Sequence, residues 1–239
     1  MGPELFLLDP VFDETLDRLR DVRRGFERAL LIGAGSPEWR RRLEEVAGEV
    51  EVVEPGPLMA AASGAVPAEE DRHDFGEGRF DLVVAVGTLD TVNELPRALQ
   101  MIRRAMRPDS PLIGAMAGGD SLAMLRGAMI EADRATGPTA QRTHPRIDPA
   151  SLAGLLSGAG FAMPVVDVDR RRIRYASLFG LVRDLRAMGA ANMMSERAAG
   201  RGREWAARAA AAFAAQGEDK RTTERIDILH FIGWSPPQK

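Results

Sequence analysis

The feature that most constrains the fold is a strongly apolar segment that ends in a turn of small residues. Ala29–Ile32 is a continuous apolar run, and Gly33–Gly35 follows it directly. Ser36 is a typical helix N-cap and Pro37 a typical first-turn residue, so a helix is predicted from here to about Val46. A strand, a tight glycine turn and a helix in this order are typical of the first unit of a nucleotide-binding α/β sheet.

The same order of strand, turn and helix returns along the chain. The segment Phe80–Val86 is apolar on both faces, as a buried parallel strand requires. Further strands are predicted at Glu49–Val53, Leu112–Ala117, Met163–Asp169 and Thr223–Trp234, and helices at Leu58–Ser63, at Glu94–Met106 and from an Asp120 N-cap to about Ala135. This alternation predicts an α/β fold with a doubly wound, Rossmann-like and mostly parallel sheet.

We expect one domain over residues 1–239. Apolar residues recur at helical spacing near the start of the chain, which predicts an N-terminal helical segment over residues 1–28. Two further helical stretches lie between the last two predicted strands. They predict a helical insertion over residues 175–217, which is a candidate lid.

Composition argues against several classes of function. The sequence has no cysteine, which excludes disulfides, thiolate nucleophiles and cysteine-ligated metal sites. Its formal net charge of −3 argues against a nucleic-acid-binding surface. No apolar run approaches the ~20 residues of a membrane span, and the N-terminus lacks the pattern of a signal peptide, so we expect a cytoplasmic protein. The three histidines, His73, His144 and His230, lack metal-ligand spacing, so no metal is predicted.

An acidic residue stands where a nucleotide site needs one. In such a site an acid at the end of the second strand accepts hydrogen bonds from the ribose hydroxyls. Glu54 has this place and follows Gly33 by about twenty residues; a glycine turn that serves packing alone is the alternative. The residues predicted to contact the cofactor are Gly33, Ala34, Gly35, Glu54, Pro55, Glu70, Asp71, Val86 and Gly87. Glu70 and Asp71 belong to an acidic cluster that is equally consistent with a solvated loop.

The succession of motifs resembles the class I S-adenosylmethionine (SAM)-dependent methyltransferases. The segments that carry this resemblance are A-L-L-I-G-A-G, V-E-V-V-E-P-G, F-D-L-V-V-A-V-G-T-L and V-N-E-L-P-R-A-L. More narrowly, the chain resembles the branch that contains mitochondrial complex I assembly factor 5 and its bacterial relatives, with the biotin-pathway malonyl-carrier-protein methyltransferases (BioC) as cousins. The narrower resemblance rests on G-A-M-A-G-G-D-S-L at 114–122, D-L-R-A-M-G-A-A-N at 184–192 and I-G-W at 232–234.

The resemblance implies SAM as the cofactor and a last strand that runs antiparallel to its neighbours. Methyl transfer depends mainly on positioning, so no catalytic residue is assigned. The residues that would face a substrate are Gly119, Asp120, Tyr175, Arg186 and Asn192. For each there is a structural alternative: Asp120 as a helix cap, Tyr175 as a packing residue, and Arg186 and Asn192 as parts of a solvated helix face.

The chain also departs from the family pattern. Leu31 stands where the family usually carries an acid, and Pro37 replaces the third glycine of the turn. Three functions therefore stay open. The first is a methyltransferase that acts on a small molecule or a carrier-bound acyl group. The second is a protein-modifying factor of the complex I assembly type, associated with arginine hydroxylation of a respiratory complex I subunit. The third is a non-catalytic binding module with a degenerate SAM site.

Overall fold

A computed structural model describes residues 5–190 and 202–237. The helices are Leu8–Arg20 (α1), Pro37–Leu43 (α2), Pro57–Ser63 (α3), Leu95–Ala105 (α4), Ala123–Thr136 (α5), Pro149–Gly158 (α6), Leu178–Ala187 (α7) and Gly202–Ala215 (α8). The strands are Phe26–Ile32 (β1), Ala47–Glu54 (β2), Val66–Pro67 (β3), Leu82–Val86 (β4), Pro111–Gly118 (β5), Ala162–Tyr175 (β6) and Thr222–Trp234 (β7). No helix among these residues is long and apolar enough to cross a membrane.

The strands form one sheet in the order β3-β2-β1-β4-β5-β7-β6. The first five strands are parallel; Leu31 of β1, for example, pairs with Val52 of β2 and with Val84 of β4. The sheet has one antiparallel end, which confirms the predicted class of a doubly wound, mostly parallel sheet. The helices α7 and α8 lie between β6 and β7 in the chain, where the helical insertion is predicted. Whether they act as a lid stays a prediction.

The chain divides into two compact units, a subdivision that the prediction of one domain over residues 1–239 did not include. Unit 1 comprises residues 1–116, 147–168 and 229–239. Unit 2 comprises residues 117–146 and 169–228. The strands β5, β6 and β7 contribute residues to both units.

The predicted N-terminal helical segment over residues 1–28 is too long. The helix α1 ends at Arg20, and β1 already begins at Phe26. Phe26 fits the helical spacing of the apolar residues before it, but its backbone pairs with Ala47 of β2 and its side chain is buried as part of the strand. Periodicity alone could not separate these two assignments, because an apolar residue at a strand start can continue a helical pattern by chance.

The core of unit 1 lies on both sides of its parallel strands. The strand β4 is buried at every position, and Leu99 and Ile102 of α4 pack into the same cluster with no exposed surface. Each such side chain contributes about 1.5–3 kcal/mol of hydrophobic stabilisation.

Unit 2 is organised around the first turn of α5, which is capped differently from the prediction. Asp120 was expected to be the N-cap, but the residue before the helix is Leu122, which has a left-handed backbone with φ of 61°. The buried carboxylate of Glu224 accepts hydrogen bonds from the N–H groups of Met124 (3.2 Å) and Leu125 (2.8 Å). Glu224 therefore satisfies two of the free donors at this helix end from a distant strand, which a local sequence pattern cannot reveal.

A second buried acid fixes the loop that follows α5. Asp133 has no exposed surface, and it accepts hydrogen bonds from the Ala140 N–H, the Arg142 guanidinium and the Trp205 indole. These bonds hold the pKa of Asp133 below its ordinary value, with the Arg142 hydrogen bond as the largest cause. The loop and α8 are thus tied to α5 by one carboxylate.

The turn after β1 depends on the absence of a side chain at Gly33, which yields a matched test. Gly33 has φ of 92°, and a Cβ there would lie 2.3 Å from the Val86 carbonyl oxygen of β4. Gly64 also has a positive φ, 71°, but a Cβ there would meet nothing within 4 Å. We expect Gly64→Ala to cost about 1 kcal/mol of unfolding free energy, the penalty of the left-handed backbone, and Gly33→Ala to cost about 3 kcal/mol or more because of the added clash.

Urea unfolding of both variants measures this difference. Equal losses for Gly33→Ala and Gly64→Ala would mean that β1 and β4 do not approach each other as closely as described.

Candidate functional site

The predicted acid at the end of β2 joins the two loops at the carboxyl ends of β1 and β2. Glu54 is buried, with 7% of its surface exposed. Its Oε2 accepts a hydrogen bond from the Ala34 N–H (2.8 Å), and its Oε1 accepts one from the Gly56 N–H (2.9 Å). A carboxylate has about four acceptor positions, so two further donors can still be accommodated. Glu54 is thus already oriented as an acceptor at the ligand-binding edge of an α/β sheet.

Gly33, the first glycine of the turn, is constrained by its neighbours in unit 1. Its N–H donates to the Val53 carbonyl at 3.0 Å, and the methyl group of Thr88 would lie 3.1 Å from an added Cβ. The structure therefore brings Gly33, Ala34, Glu54 and Val86 together, and Gly87 directly follows Val86. That these residues contact a cofactor stays a prediction.

Gly35 makes room for an indole ring. A Cβ at this position would lie 2.6 Å from the ring of Trp39. Trp39 is buried, stacks on Phe12 of α1 with ring centroids 4.4 Å apart, and donates from Nε1 to Asp9 at 2.8 Å. The space beside this glycine is therefore filled by protein, and α1 is anchored close to the turn.

Two members of the acidic cluster after β3 are buried, which argues against the solvated-loop alternative for them. Glu70 is 2% exposed and Asp71 is 4% exposed, whereas Glu69 is exposed and pairs with Arg72 at 2.8 Å. Asp71 accepts a hydrogen bond from the Glu94 N–H at 3.1 Å. Asp71 thus satisfies a backbone N–H directly before α4, and this role is separate from any contact with a ligand.

Glu70 is an acid of unit 1 with a raised pKa. Burial raises its pKa, and the negative charges of Glu54 and Asp71 raise it further. The Thr88 hydroxyl lies beside Glu70, and its interaction with the carboxyl group partly offsets the rise in the pKa of Glu70. Glu70 Oε1 and Thr88 Oγ1 are buried, and neither has a partner at full hydrogen-bonding geometry within the described residues. Buried oxygens without partners are uncommon in folded proteins, and they mark places where a ligand donor can be accepted.

These residues fit the nucleoside end of SAM. The edge of the sheet presents the acceptors of Glu54 and the unsatisfied oxygen of Glu70, and a ribose and an amino-substituted base carry matching donors. Neither departure from the family pattern closes this edge. Leu31 is fully buried inside β1, and Pro37 is the first residue of α2, where a missing N–H breaks no helical hydrogen bond.

Two of the predicted substrate residues form one turn in unit 2. Gly119 has φ of 55°, and a Cβ there would lie 2.6 Å from Asp227 Oδ2. The Asp120 N–H donates to the same carboxylate at 3.3 Å, and the exposed Asp120 side chain pairs with Arg225 at 3.1 Å. Asp120 is therefore accessible although it is not the helix cap, and its contact with a substrate stays a prediction.

The other predicted substrate residues do not share one environment. Tyr175 is buried in unit 2, as the packing alternative requires, and Arg186 is exposed on α7. Asn192 lies outside the described residues.

Sequence reasoning missed Thr88 and Glu224. Glu224 is in register with the apolar face of Ile226 and Ile228 in β7, so the alternation was a signal for its burial, but no local signal indicated its role at the start of α5.

The raised pKa of Glu70 predicts a specific dependence of stability on pH. The folded state holds the Glu70 proton more tightly than the unfolded chain, whose pKa lies near 4.5. Stability from this group is therefore complete below the unfolded pKa and is lost as the pH rises through the raised folded pKa. We expect Glu70→Gln to remove that loss and to be more stable than the unmodified protein above this window.

Unfolding free energies from pH 4 to 8 (about the range in which such a group titrates) test this. The control is Glu69→Gln, the exposed neighbour. Parallel pH profiles for all three proteins would contradict a raised pKa at Glu70.

Comparisons with known proteins agree with this geometry. Residues 8–165 match the methyltransferase domain family. The mitochondrial arginine-hydroxylase NDUFAF5 of Mus musculus is 34% identical over 246 residues, covering 96% of this chain and 70% of its own length. A malonyl-[acyl-carrier protein] O-methyltransferase of Laribacter hongkongensis is 31% identical, covering 75% of this chain and 59% of its own length.

A solved methyltransferase structure shares the fold. The phosphoethanolamine N-methyltransferase 2 of Haemonchus contortus, solved with S-adenosylhomocysteine, superposes with a TM-score of 0.57 at 13% identity, covering 95% of this chain and 53% of its own. At that identity the likeness shows the fold alone. Together with the domain match and the identity to the mouse protein, these findings place the chain in the SAM-methyltransferase-like superfamily, in the family of the arginine-hydroxylase NDUFAF5.

Proposed function

We propose that unit 1 binds SAM at the carboxyl ends of β1, β2 and β4, and that the protein is a SAM-dependent enzyme. The observation that carries this proposal is Glu54, a buried carboxylate held by the Ala34 and Gly56 N–H groups with acceptor positions left over. A charged acceptor fixed by backbone donors can receive two ribose hydroxyls without reorganising. The orphaned Glu70 oxygen supports a second contact, to a donor on the base.

The residues of this chain would bind and orient the cofactor, not exchange protons with it. SAM supplies an activated methyl group when it is bound, and the barrier to transfer falls mainly through alignment. The buried turn at Gly33 and the packing of Trp39 on Phe12 would keep the binding loops rigid. The substrate of such a reaction would be a small molecule, a carrier-bound acyl group or a protein.

A specific observation favours a protein arginine as the substrate. The match to the mouse arginine-hydroxylase covers 96% of the chain, whereas the match to the malonyl-carrier-protein methyltransferase covers 75%. The mouse protein therefore also matches a part of this chain that the malonyl-carrier-protein methyltransferase does not match. Modification of an arginine in a respiratory complex I subunit is therefore the second candidate function.

Removing the charge of Glu54 tests the cofactor proposal. We expect Glu54→Gln to weaken the binding of SAM and S-adenosylhomocysteine about tenfold or more, since hydrogen bonds to a charged group contribute about 1.5–3 kcal/mol. Titration calorimetry measures the affinities. The control is Glu49→Gln, an exposed residue of the same strand.

Unchanged SAM affinity in Glu54→Gln would contradict the assigned role of this residue. Failure of the unmodified protein to bind SAM at millimolar concentration would favour the non-catalytic binding module.

The arginine hypothesis has a separate test in the cell. Mass spectrometry of the cognate complex I subunits is compared between the wild type and a strain that lacks this gene. We expect an arginine modification to be lost, and to return when the gene is restored on a plasmid. An identical modification state in both strains would count against this substrate.

A further inference from the structure

Unit 2 contains a cavity between the helix α5 and the loop that follows it, called the α5 cavity below. Its volume is about 230 Å³, and it is partly open to solvent. All of its lining residues lie within 126–145, so the helix and the loop alone contribute its walls. Since an apolar cavity of about 150 Å³ can hold benzene, the α5 cavity can accept a molecule of about nine non-hydrogen atoms.

The loop wall of the α5 cavity is held in place by the buried carboxylate of Asp133. The Ala140 N–H donates to this carboxylate at 3.0 Å, Arg142 Nε donates to it at 3.0 Å, and Arg142 Nη2 lies 2.8 Å from it. The Arg142 guanidinium also lies over the Trp205 ring, 4.5 Å from its centroid. Two residues of the wall are thus fixed in advance, and a preformed site loses less conformational entropy when a ligand binds.

The walls of the α5 cavity combine apolar side chains with basic ones. Met129 and Ile130 of α5 face Ala140 and Pro145 of the loop across it. The other lining residues include two arginines and a histidine, and none of the described residues that line the cavity is acidic. Small-molecule sites are typically apolar with a few polar groups that fix the orientation of the ligand. This lining therefore fits an apolar molecule with a negatively charged group.

Arg126 supplies the charge that this group would meet. The other lining arginine, Arg142, is paired with Asp133, so their charges compensate each other. Arg126 is half-buried on α5, and its side chain makes no hydrogen bond or ion pair with the residues that the structure describes. A guanidinium in this state keeps its parallel N–H donors for a carboxylate.

The acid that Arg126 influences inside the protein is already occupied. Burial raises the pKa of Glu224, and backbone hydrogen bonds and the positive charge of Arg126 partly offset this rise. Three backbone N–H groups donate to the Glu224 carboxylate, at distances from 2.8 to 3.2 Å. Arg126 thus acts on Glu224 through its charge without giving it a hydrogen bond, and its donors remain available on the side of the cavity.

We propose that the α5 cavity binds a small carboxylate with a compact apolar body. The carboxylate contacts Arg126, and the body lies between the apolar side chains of α5 and the loop. A planar guanidinium can give two parallel hydrogen bonds to a carboxylate. One uncompensated arginine matches one negative charge, which favours a carboxylate over a doubly charged phosphate. The site lies wholly within unit 2 and does not depend on SAM binding in unit 1.

Benzoate is the probe for this site, and benzamide is its neutral match, with the same number of non-hydrogen atoms and almost the same shape. We expect the full-length protein to bind benzoate about tenfold or more tightly than benzamide, because only benzoate forms a charge-assisted pair with Arg126. NMR titration of isotope-labelled methionine methyl groups measures both affinities. The Met129 methyl signal, identified with the Met129→Leu variant, reports whether the ligand enters the cavity.

Three variants separate the charge from the apolar walls. Arg126→Gln should remove the preference for benzoate and leave weak binding of both molecules. The matched control is Arg134→Gln, which removes an exposed charge of the same helix outside the cavity and should keep the full preference. Ala140→Leu fills part of the cavity and should weaken both ligands about tenfold, since less of the apolar body is then buried.

Several results would overturn the proposal. Equal binding of benzoate and benzamide by the unmodified protein would do so without any variant, as would a Met129 signal that benzoate leaves unchanged. A preference for benzoate that survives Arg126→Gln, in a variant whose thermal unfolding shows an intact fold, would exclude Arg126 as the partner. Tighter binding of phenyl phosphate than of benzoate would overturn the assignment to a carboxylate.

Discussion

The buried carboxylate of Glu54 is the interaction on which the candidate site depends. It joins the loop after β1 to the loop after β2 through the Ala34 and Gly56 N–H groups. Without it, two backbone donors would be left at the edge of the sheet with no protein partner, and each would cost about 1–3 kcal/mol. The same group that organises the loops is also the acceptor that a ribose requires. Stability and binding therefore depend on one residue here, and a substitution at Glu54 must be tested for both.

Unit 2 uses buried carboxylates in a similar way. Asp133 holds the loop after α5 together with Trp205 of α8, and Glu224 holds the first turn of α5 to β7. Each acid is surrounded by N–H donors, so its burial is compensated. Glu70 differs, because one of its oxygens lacks a partner within the described residues. That difference separates an acid that supports the fold from one that is available to a ligand.

The sequence was sufficient to predict those elements whose causes are local. The apolar run of β4 predicts a strand buried on both faces, and β4 is buried in this way. Gly33 and Glu54 lie where a strand–turn–helix unit of a nucleotide-binding sheet requires them. The end of α1 and the cap of α5 were missed for the same physical reason. The cap comes from Glu224, about a hundred residues later, and Phe26 is strand because of its pairing with Ala47. Contacts between distant residues leave no local periodicity, so burial of polar groups is where sequence reasoning is weakest.

The division into units has a consequence for how the protein is made on the ribosome. Phe231 of β7 packs in the core of unit 1 beside residues such as Leu30 and Val83, which are translated about 200 and about 150 positions earlier, respectively. The chain also leaves this unit twice, at residues 117–146 and 169–228, before it returns. The apolar surface of the parallel strands therefore stays incomplete until the last strand has emerged. Contacts between such distant parts of a chain slow folding, because the long loops between them must close before the contacts can form.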